Sequence, residues 1–478
     1  MNHFDWKPFL KSVAAIAIPV ALQNLLTTTG SVVDTMMLAP LGETAVGAVG
    51  LAAQFASLLF STYWGFVGGG MLFFGQFWGA KDEDGLNHSY GITMAFLMTI
   101  ACAFTLAGLL FPETVMRLYT DKDVFHALGA RYLRIMCLSF PLQVLASAMS
   151  ALLRSIGQVR TPLYASIVSV VSNVALNYVL IFGRLGFPAL GVQGAAVATV
   201  TASLLNVLVL VFFAVRERHP CVLEIRRHYG WSRALLRQFV QKSFPIIFNE
   251  LGIGISNMLI NMILGRQAAA AVVANVVFRN IESIVIAFFW GFSNSATVLV
   301  GTQVGAGELD VAYERGKRLV GLCGAVTFFV CLMIVAAHTP LLTAMGLSGE
   351  SFRLCTQMLL IYCVIAVVRM MNWQFNDTYR AAGNPHFGSI LEIVFIFGMV
   401  VPAMYLTGIV WRCAFLIVFL CRYSDELIRL AMMVYHFYTG KWVRPITPEG
   451  QAALPAFMAK RRLKGFNFGL ADREQQRE

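Results

Sequence analysis

Charged residues are scarce in this sequence: they make up 13% of its 478 residues, whereas 58% are hydrophobic and the mean hydropathy is +0.69. A soluble core could not bury that much apolar surface, so the composition excludes a soluble globular protein and predicts a polytopic membrane protein. The net charge of +11 lies in connecting segments. Because no basic soluble domain is visible, we expect no nucleic-acid partner.

Motifs of enzymatic chemistry are also lacking. The nine cysteines show neither paired spacing nor a CxxC pattern, which argues against a disulfide framework or a zinc site. No P-loop, GxSxG or HExxH motif is present, so ATP-driven transport and hydrolysis have no basis in the sequence. We therefore expect neither an enzyme nor a resident cofactor. The first apolar run has no small-residue cleavage site, and we interpret it as a retained helix.

Long uncharged runs are what the sequence has in abundance. A bilayer-spanning helix needs about 20 apolar residues. Dividing the chain at its polar breaks predicts twelve helices, near residues 12–38, 44–74, 88–111, 132–153, 162–183, 192–215, 239–264, 268–300, 318–338, 354–377, 387–408 and 412–437. The twelfth is interrupted by Arg422, Asp425, Glu426 and Arg429.

Positive charge concentrates in the connections after every second helix and in the C-terminal segment. The connection 216–242 alone carries seven arginines and lysines against two glutamates. Loops rich in Lys and Arg face the cytoplasm, so both termini are predicted to be cytoplasmic in a multi-pass protein of the plasma (inner) membrane.

The two halves of the chain repeat at an offset of 226 residues. The pairs are Pro19 and Pro245, Gly75 and Gly301, Gly79 and Gly305, Ala80 and Ala306, Arg154 and Arg380, and Gly157 and Gly383. A repeat of six helices predicts two parallel bundles related by a pseudo-twofold axis along the membrane normal, with a substrate path between them. We assign the N-terminal bundle to 1–215, a basic linker to 216–242, the C-terminal bundle to 243–440 and a cytoplasmic tail to 441–478.

Asp34 lies inside the first apolar run. A charged side chain there costs about 2.5–3.5 kcal/mol and needs a partner, an ion or a water-filled cavity. It is therefore a candidate for function, although a neutral acid that holds two helices together would fit the pattern too.

Several stretches resemble the multidrug and toxic compound extrusion (MATE) family, in particular its bacterial NorM type. They are VVDTMMLAPLGETAVGAVGLAAQ at 32–54, GQFWGAKD at 75–82, the long run at 152–199, FNELGIG at 248–254, VGTQVGAGELDVAYERGKRL at 300–319, YRAAGNP at 379–385 and TGKW at 439–442. The resemblance covers nearly the whole chain and implies a secondary transporter with twelve helices.

The resemblance also implies a role for Asp34 in coupling transport to Na⁺ or H⁺. Asn173 and Asn177 are similar to the polar residues that accompany this aspartate in the family, and their i, i+4 spacing puts both on one helix face. They could converge on Asp34 and hold a monovalent ion. Thr199 is a further candidate for this cluster. Interhelical hydrogen bonding is the alternative explanation for the two asparagines.

Glu250 matches an acidic position that the family ties to cation coupling or to cationic substrates; a solvated glutamate is the alternative. Arg279 and Glu282 are three residues apart, so we expect them to pair on one helix surface. Arg369 stands where NorM-type members have an aspartate, which leaves their C-terminal cation site in doubt, and Asp377 is no obvious substitute. These last four residues are candidates for cavity or structural charges.

The sequence thus predicts a monomeric, lipid-embedded exporter of small organic, cationic compounds, driven by Na⁺ or H⁺ antiport through alternating access. A lipid-linked oligosaccharide flippase is the first alternative, and it would line its cavity with cationic side chains. A receptor or membrane enzyme is the second, although it would need a ligand domain or a catalytic cluster.

Overall fold

The architecture was obtained as a computed structural model that describes residues 5–120, 122–217 and 225–464. These residues form helices joined by turns, with no β-strand among them. Ten helices are long and apolar enough to cross a membrane, and a pair bent by 47° (Asp123–Met136 and Ser139–Ser155) makes an eleventh span. The chain is therefore an all-α, multi-pass membrane protein, as its composition predicts.

The helices of the first half follow one another with short connections. They are α1 (Trp6–Leu38), α2 (Glu43–Ala80), α3 (Glu83–Leu110), α4 (Pro112–Tyr119), α5 (Asp123–Met136), α6 (Ser139–Ser155), α7 (Arg160–Phe182) and α8 (Val192–Arg216). The first compact unit consists of the described residues within 5–74 and 83–250.

Helices α7 and α8 pack closely against each other, and α7 also packs on α1. Helix α7 ends at Gly183, whose φ of +66° is the left-handed conformation that glycine adopts at helix ends. Gly194 on α8 lies so near α7 that a Cβ there would be 2.6 Å from the Leu180 carbonyl oxygen. Glycine at position 194 thus permits the close packing of α8 against α7.

The second compact unit consists of the described residues within 75–82 and 251–464. Its helices are the end of α9 (Arg233–Gly265), α10 (Ala269–Ala296), α11 (Leu309–Ala336), α12 (His338–Ala344), α13 (Gly349–Ala381), α14 (Pro385–Phe395), α15 (Phe415–Cys421), α16 (Glu426–Thr439) and α17 (Pro448–Lys464). Beyond α14 the chain continues helically to Val410 through two π-helical turns, Ile396–Val400 and Leu406–Val410.

Three features differ from the expected boundaries. The division between units crosses the long helices α2 and α9, so residues 75–82 group with the second unit and 225–250 with the first. The twelfth expected span is two helices, α15 and α16, separated at 422–425, where charged residues stand in place of apolar ones.

The segment 441–478, expected to be a tail, contains α17, which packs against other helices of the second unit. Phe457 is 4% exposed in an aromatic core with Tyr313 and Trp442, and Lys460 pairs with Asp310 at 2.8 Å. The prediction of a cytoplasmic tail named no helix in this segment, whereas apolar side chains of α17 pack in the core of the second unit.

Candidate functional site

Two polar groups lie within the bundles, one in each unit. The first, here called the Asp34 cluster, consists of Asp34 on α1 and of Asn173 and Asn177 on α7. Asn177 Nδ2 donates hydrogen bonds to Asp34 Oδ1 at 2.6 Å and to Asn173 Oδ1 at 3.1 Å. Asn177 is 1% exposed, while Asp34 and Asn173 are half-buried. Asn177 thus meets the aspartate directly, and Asn173 is linked to Asp34 through Asn177.

The donor set of the Asp34 cluster suits a monovalent cation or a proton. Asn177 Oδ1 is buried and has no hydrogen-bond partner among the described residues. Carboxylate and amide oxygens are the ligands that hard cations prefer, and an intramembrane carboxylate can accept a proton instead. Asp34 supplies the one formal charge of the three side chains, so a single positive charge neutralises the cluster.

Three other predicted residues lie on α8, α9 and α13. The Thr199 hydroxyl donates to Ala195 O at 3.0 Å within α8 and makes no hydrogen bond to Asp34, Asn173 or Asn177. Glu250 is half-buried on α9. Asp377 on α13 pairs with Arg380 at 3.7 Å.

The second polar group lines a cavity of about 190 Å³ in the second unit, here called the charged cavity. Glu282 on α10 is 4% exposed. Its carboxylate accepts from Arg369 Nη1 at 2.8 Å and from Arg422 Nη2 at 3.2 Å. Arg369 also lies 3.6 Å from Glu426 and stacks over Trp373, with its guanidinium carbon 4.7 Å from the ring centroid.

Arg429 on α16 holds the other acids of the charged cavity. It lies 2.9 Å from Glu426, 3.3 Å from Glu392 and 3.5 Å from Asp425. Its side chain is 3% exposed, and its Nε has no hydrogen-bond partner among the described residues. Arg369 and Arg429 both reach Glu426, so ion pairs run continuously from Arg422 to Asp425.

The prediction that Arg279 pairs with Glu282 is wrong. Arg279 Nη1 donates to Asn261 Oδ1 at 2.7 Å, and Glu282 takes its partners from α13 and from the break between α15 and α16. A spacing of three residues makes a contact possible on a helix surface, but here arginines from neighbouring helices offer Glu282 a buried pairing instead.

The sequence also contained a signal for the charged cavity that the prediction did not use. Four charges of alternating sign interrupt the twelfth apolar run: Arg422, Asp425, Glu426 and Arg429. Charges inside a membrane span normally pair with one another, so this cluster and the isolated Glu392 could have been assigned to one network.

The comparisons with known proteins agree with this architecture. The sequence profile of the MatE family matches residues 19–179 and 245–406, and the two matches begin at the repeated prolines Pro19 and Pro245. The probable multidrug resistance protein YoeA of Bacillus subtilis is 27% identical over 440 residues, which cover 90% of this chain and 94% of the relative. The multidrug resistance protein NorM of Burkholderia vietnamiensis is 26% identical and covers 68% of this chain and 70% of its own length.

The fold matches a solved structure described as the outward-facing conformation of a multidrug resistance MATE family transporter. The TM-score is 0.81 at 17% identity, over 90% of this chain and 96% of that one. Since the family profile covers most of the sequence in two repeated matches, the chain belongs to the MatE (multidrug and toxic compound extrusion) family and is a membrane transporter, not an enzyme.

Proposed function

We propose that this protein is a secondary active exporter of small organic cations, coupled to Na⁺ or H⁺ through the Asp34 cluster. The observation that carries the proposal is the bond from Asn177 Nδ2 to Asp34 Oδ1, beside an Asn177 oxygen that is buried without a partner. It joins α1 to α7 at an ionisable group, so a change of charge at that group acts directly on the packing of two helices.

The coupling follows from what a bound ion does to this bond. A proton on Asp34 removes the negative charge that strengthens the hydrogen bond from Asn177. A Na⁺ ion competes with Asn177 Nδ2 for the Asp34 carboxylate and takes Asn177 Oδ1 as a further ligand. Either event weakens the link between α1 and α7, and this change lowers the affinity for a cationic substrate in an antiport cycle.

The names of the relatives support the export of drugs, since YoeA and NorM are described as multidrug resistance proteins. Acidic side chains support a cationic substrate: Asp34 attracts positive charge in the first unit, and Glu250 on α9 is a second candidate for attracting the substrate or coupling ion. We propose a monomer in the plasma membrane, with both termini in the cytoplasm because Lys and Arg concentrate in alternate connections.

A lipid-linked oligosaccharide flippase is the weaker candidate. A cavity for a phosphorylated lipid would present a surplus of cationic side chains. The charged cavity has four arginines, but four acids line it as well. Its balanced charge therefore does not favour a polyanionic substrate.

Efflux from proteoliposomes tests the proposal. Purified protein is reconstituted with an imposed Na⁺ or H⁺ gradient, and the release of a panel of cationic dyes is followed. We expect one of the two gradients to drive efflux by the wild type and by Asp123→Asn, whose carboxylate is 97% exposed on α5. Asp34→Asn should insert and fold normally but lose ion-driven efflux. Undiminished ion-driven efflux by Asp34→Asn would overturn the assignment.

A further inference from the structure

A groove of about 370 Å³ lies along α14 in the second unit, and among the described residues it shares no lining side chain with the charged cavity. We call it the α14 groove. Residues of α14 form most of its wall, and His436 on α16 and Arg444 complete it. Its volume lies within the roughly 300–1,000 Å³ that ligand pockets usually have. The groove is therefore large enough to hold part of a ligand molecule.

The apolar part of the α14 groove faces away from the charged cavity. Ile390 and Val394 lie two residues before and two residues after Glu392, and each residue of a helix turns the chain by about 100°. Both side chains therefore lie on the face of α14 opposite Glu392, which is 4% exposed and lines the charged cavity. Ile390 is 54% exposed and Val394 is 59% exposed. Because α14 begins an apolar span long enough to cross a membrane, this face lies against lipid.

The polar part of the α14 groove lies where the helix begins. Asn384 lines the groove immediately before the first residue of α14 and is 3% exposed. Its side chain makes neither a capping hydrogen bond nor any other hydrogen bond within the described residues. Buried polar side chains normally have a hydrogen-bond partner, so this amide is available to a ligand. His386 follows in the first turn of the helix, where backbone N–H groups attract anions.

Two cations stand at the same end of the α14 groove. Arg444 lines the groove, is exposed and forms no ion pair with any described residue. Lys441 is also exposed and forms no ion pair in that part of the chain, and the charges of Arg444 and Lys441 both reach His436. The His436 ring stacks on Phe387 with the ring centroids 3.8 Å apart, so the two rings form the wall at this end. The polar end thus has positive charge that no described acid offsets by pairing.

One row of side chains connects the two ends of the α14 groove. His386, Ile390 and Val394 follow one another at intervals of four residues, so they lie along one side of α14. Val394 stands nine residues after Pro385, which is about 13 Å along the helix at 1.5 Å per residue. A phospholipid has the same order, with its phosphate at the membrane interface and its acyl chains extending into the bilayer. A free phosphate ion would occupy the polar end and leave the apolar row uncovered.

We propose that the α14 groove binds an anionic phospholipid, with the phosphate at Asn384 and Arg444 and an acyl chain along Ile390 and Val394. Guanidinium groups recognise phosphates with paired hydrogen bonds, and basic side chains near the membrane surface attract anionic headgroups. A zwitterionic lipid also carries a phosphate, but its ammonium group would be repelled by Arg444 and Lys441. The bound lipid is a partner of the protein and not a transported substrate, so the proposal does not depend on the coupling role of Asp34.

Site-specific photocrosslinking in lipid nanodiscs tests this proposal. The full-length protein carries p-benzoylphenylalanine in place of Val394 or, as a matched position, in place of Leu208, which is 52% exposed on α8 and lies eight residues before the end of that helix. The nanodiscs contain equimolar phosphatidylglycerol and phosphatidylcholine with identical acyl chains. Mass spectrometry measures the ratio of the two lipids that are crosslinked. We expect the ratio of phosphatidylglycerol to phosphatidylcholine to be at least fivefold higher at position 394 than at position 208, because one basic residue near an anionic headgroup favours it roughly fivefold.

Substitutions at the polar end identify the group that selects the lipid. Arg444→Gln should lower the ratio at position 394 roughly fivefold, whereas Arg444→Lys keeps the charge and should retain most of the ratio. Arg237→Gln changes an exposed arginine on α9 outside the groove and should leave the ratio unchanged. Asp34→Asn should also leave the ratio unchanged even though it loses ion-driven dye efflux, so failure of the export proposal is distinguishable.

Inorganic phosphate separates a lipid from a free ion as the occupant of the α14 groove. Millimolar phosphate, added at constant ionic strength, should leave the enrichment of phosphatidylglycerol at position 394 intact, because the apolar row holds the acyl chain. Loss of the enrichment in phosphate would assign the polar end to the free ion and overturn the proposal. Equal ratios at positions 394 and 208, or an unchanged ratio in Arg444→Gln, would overturn it as well.

Discussion

Replacing Glu282 by glutamine removes the acid that two buried arginines share. Arg422 then keeps no acidic partner among the described residues, whereas Arg369 retains Glu426 at 3.6 Å. The side chain of Arg422 is only 10% exposed, so its charge cannot simply return to water. We therefore expect the loss of stability in Glu282→Gln to come mainly from the buried guanidinium group of Arg422, which no longer has an acidic partner among the described residues.

The expected size of the effect follows from the burial of the pair. Removing one partner of a buried ion pair costs about 3–5 kcal/mol. At about 2–4 °C per kcal/mol for a unit of this size, the melting temperature of Glu282→Gln falls by roughly 6–20 °C. The double variant Glu282→Gln/Arg422→Gln leaves no buried charge without a partner at this pair. Its free energy of unfolding should recover to within about 1–2 kcal/mol of that of the wild type.

Thermal unfolding followed with a thiol-reactive fluorophore measures this effect, because Cys323 and Cys355 are buried in the second unit. Glu350→Gln, which changes an exposed acid in the first turn of α13, is the matched control and should shift stability by no more than about 0.5 kcal/mol. A single variant as stable as this control, or a double variant less stable than Glu282→Gln, would refute the reasoning.

Three further variants test the close approach of α7 and α8, the hydrogen bonds of the Asp34 cluster and the packing of α17. Gly194→Val should destabilise the first unit by about 1–3 kcal/mol when its thermal unfolding is followed by labelling of the buried Cys137, since the added Cβ would lie 2.6 Å from the Leu180 carbonyl oxygen; unchanged stability would contradict the close approach. Asn177→Ala should reduce ion-driven dye efflux more than Asn173→Ala, because Asn177 donates to both Asp34 Oδ1 and Asn173 Oδ1; the reverse order would assign the central role to Asn173. Phe457→Ala should lower stability by about 3–5 kcal/mol, and a loss below about 1 kcal/mol would mean that α17 does not contribute to the core.

Local patterns predicted much of the fold and one of the two polar groups. Apolar run length gave the spans, and the 226-residue offset between halves matches the repeated family profile. The Asp34 cluster could be anticipated because Asn173 and Asn177 share a helix face and the resemblance identified the helix that they meet. The shared helix face of Asn173 and Asn177 and the motif around Asp34 are each contained within a short stretch of sequence.

The charged cavity could not be derived in the same way. Glu282 has a near neighbour in sequence, Arg279, but its partners Arg369 and Arg422 lie 87 and 140 residues away. Which helices bring those arginines to Glu282 depends on tertiary packing. A spacing of three residues on a helix shows that two side chains can meet, but it does not show which of several possible partners forms the ion pair. The contacts of α17 could not be derived from local patterns either, because the burial of Phe457 depends on tertiary packing against Tyr313 and Trp442.

Counter-transport measures whether Asp34 couples the movement of substrate to the movement of an ion. Proteoliposomes are prepared with equal Na⁺ concentration and pH on both sides and with a gradient of a cationic dye alone. Movement of ²²Na⁺ and the internal pH are recorded in the same preparation. We expect the dye gradient to drive one of the two ions in the opposite direction in the wild type and in Asp123→Asn, and we expect Asp34→Asn to move neither ion. Equal ion movement in Asp34→Asn, or dye movement without either ion in the wild type, would contradict this expectation.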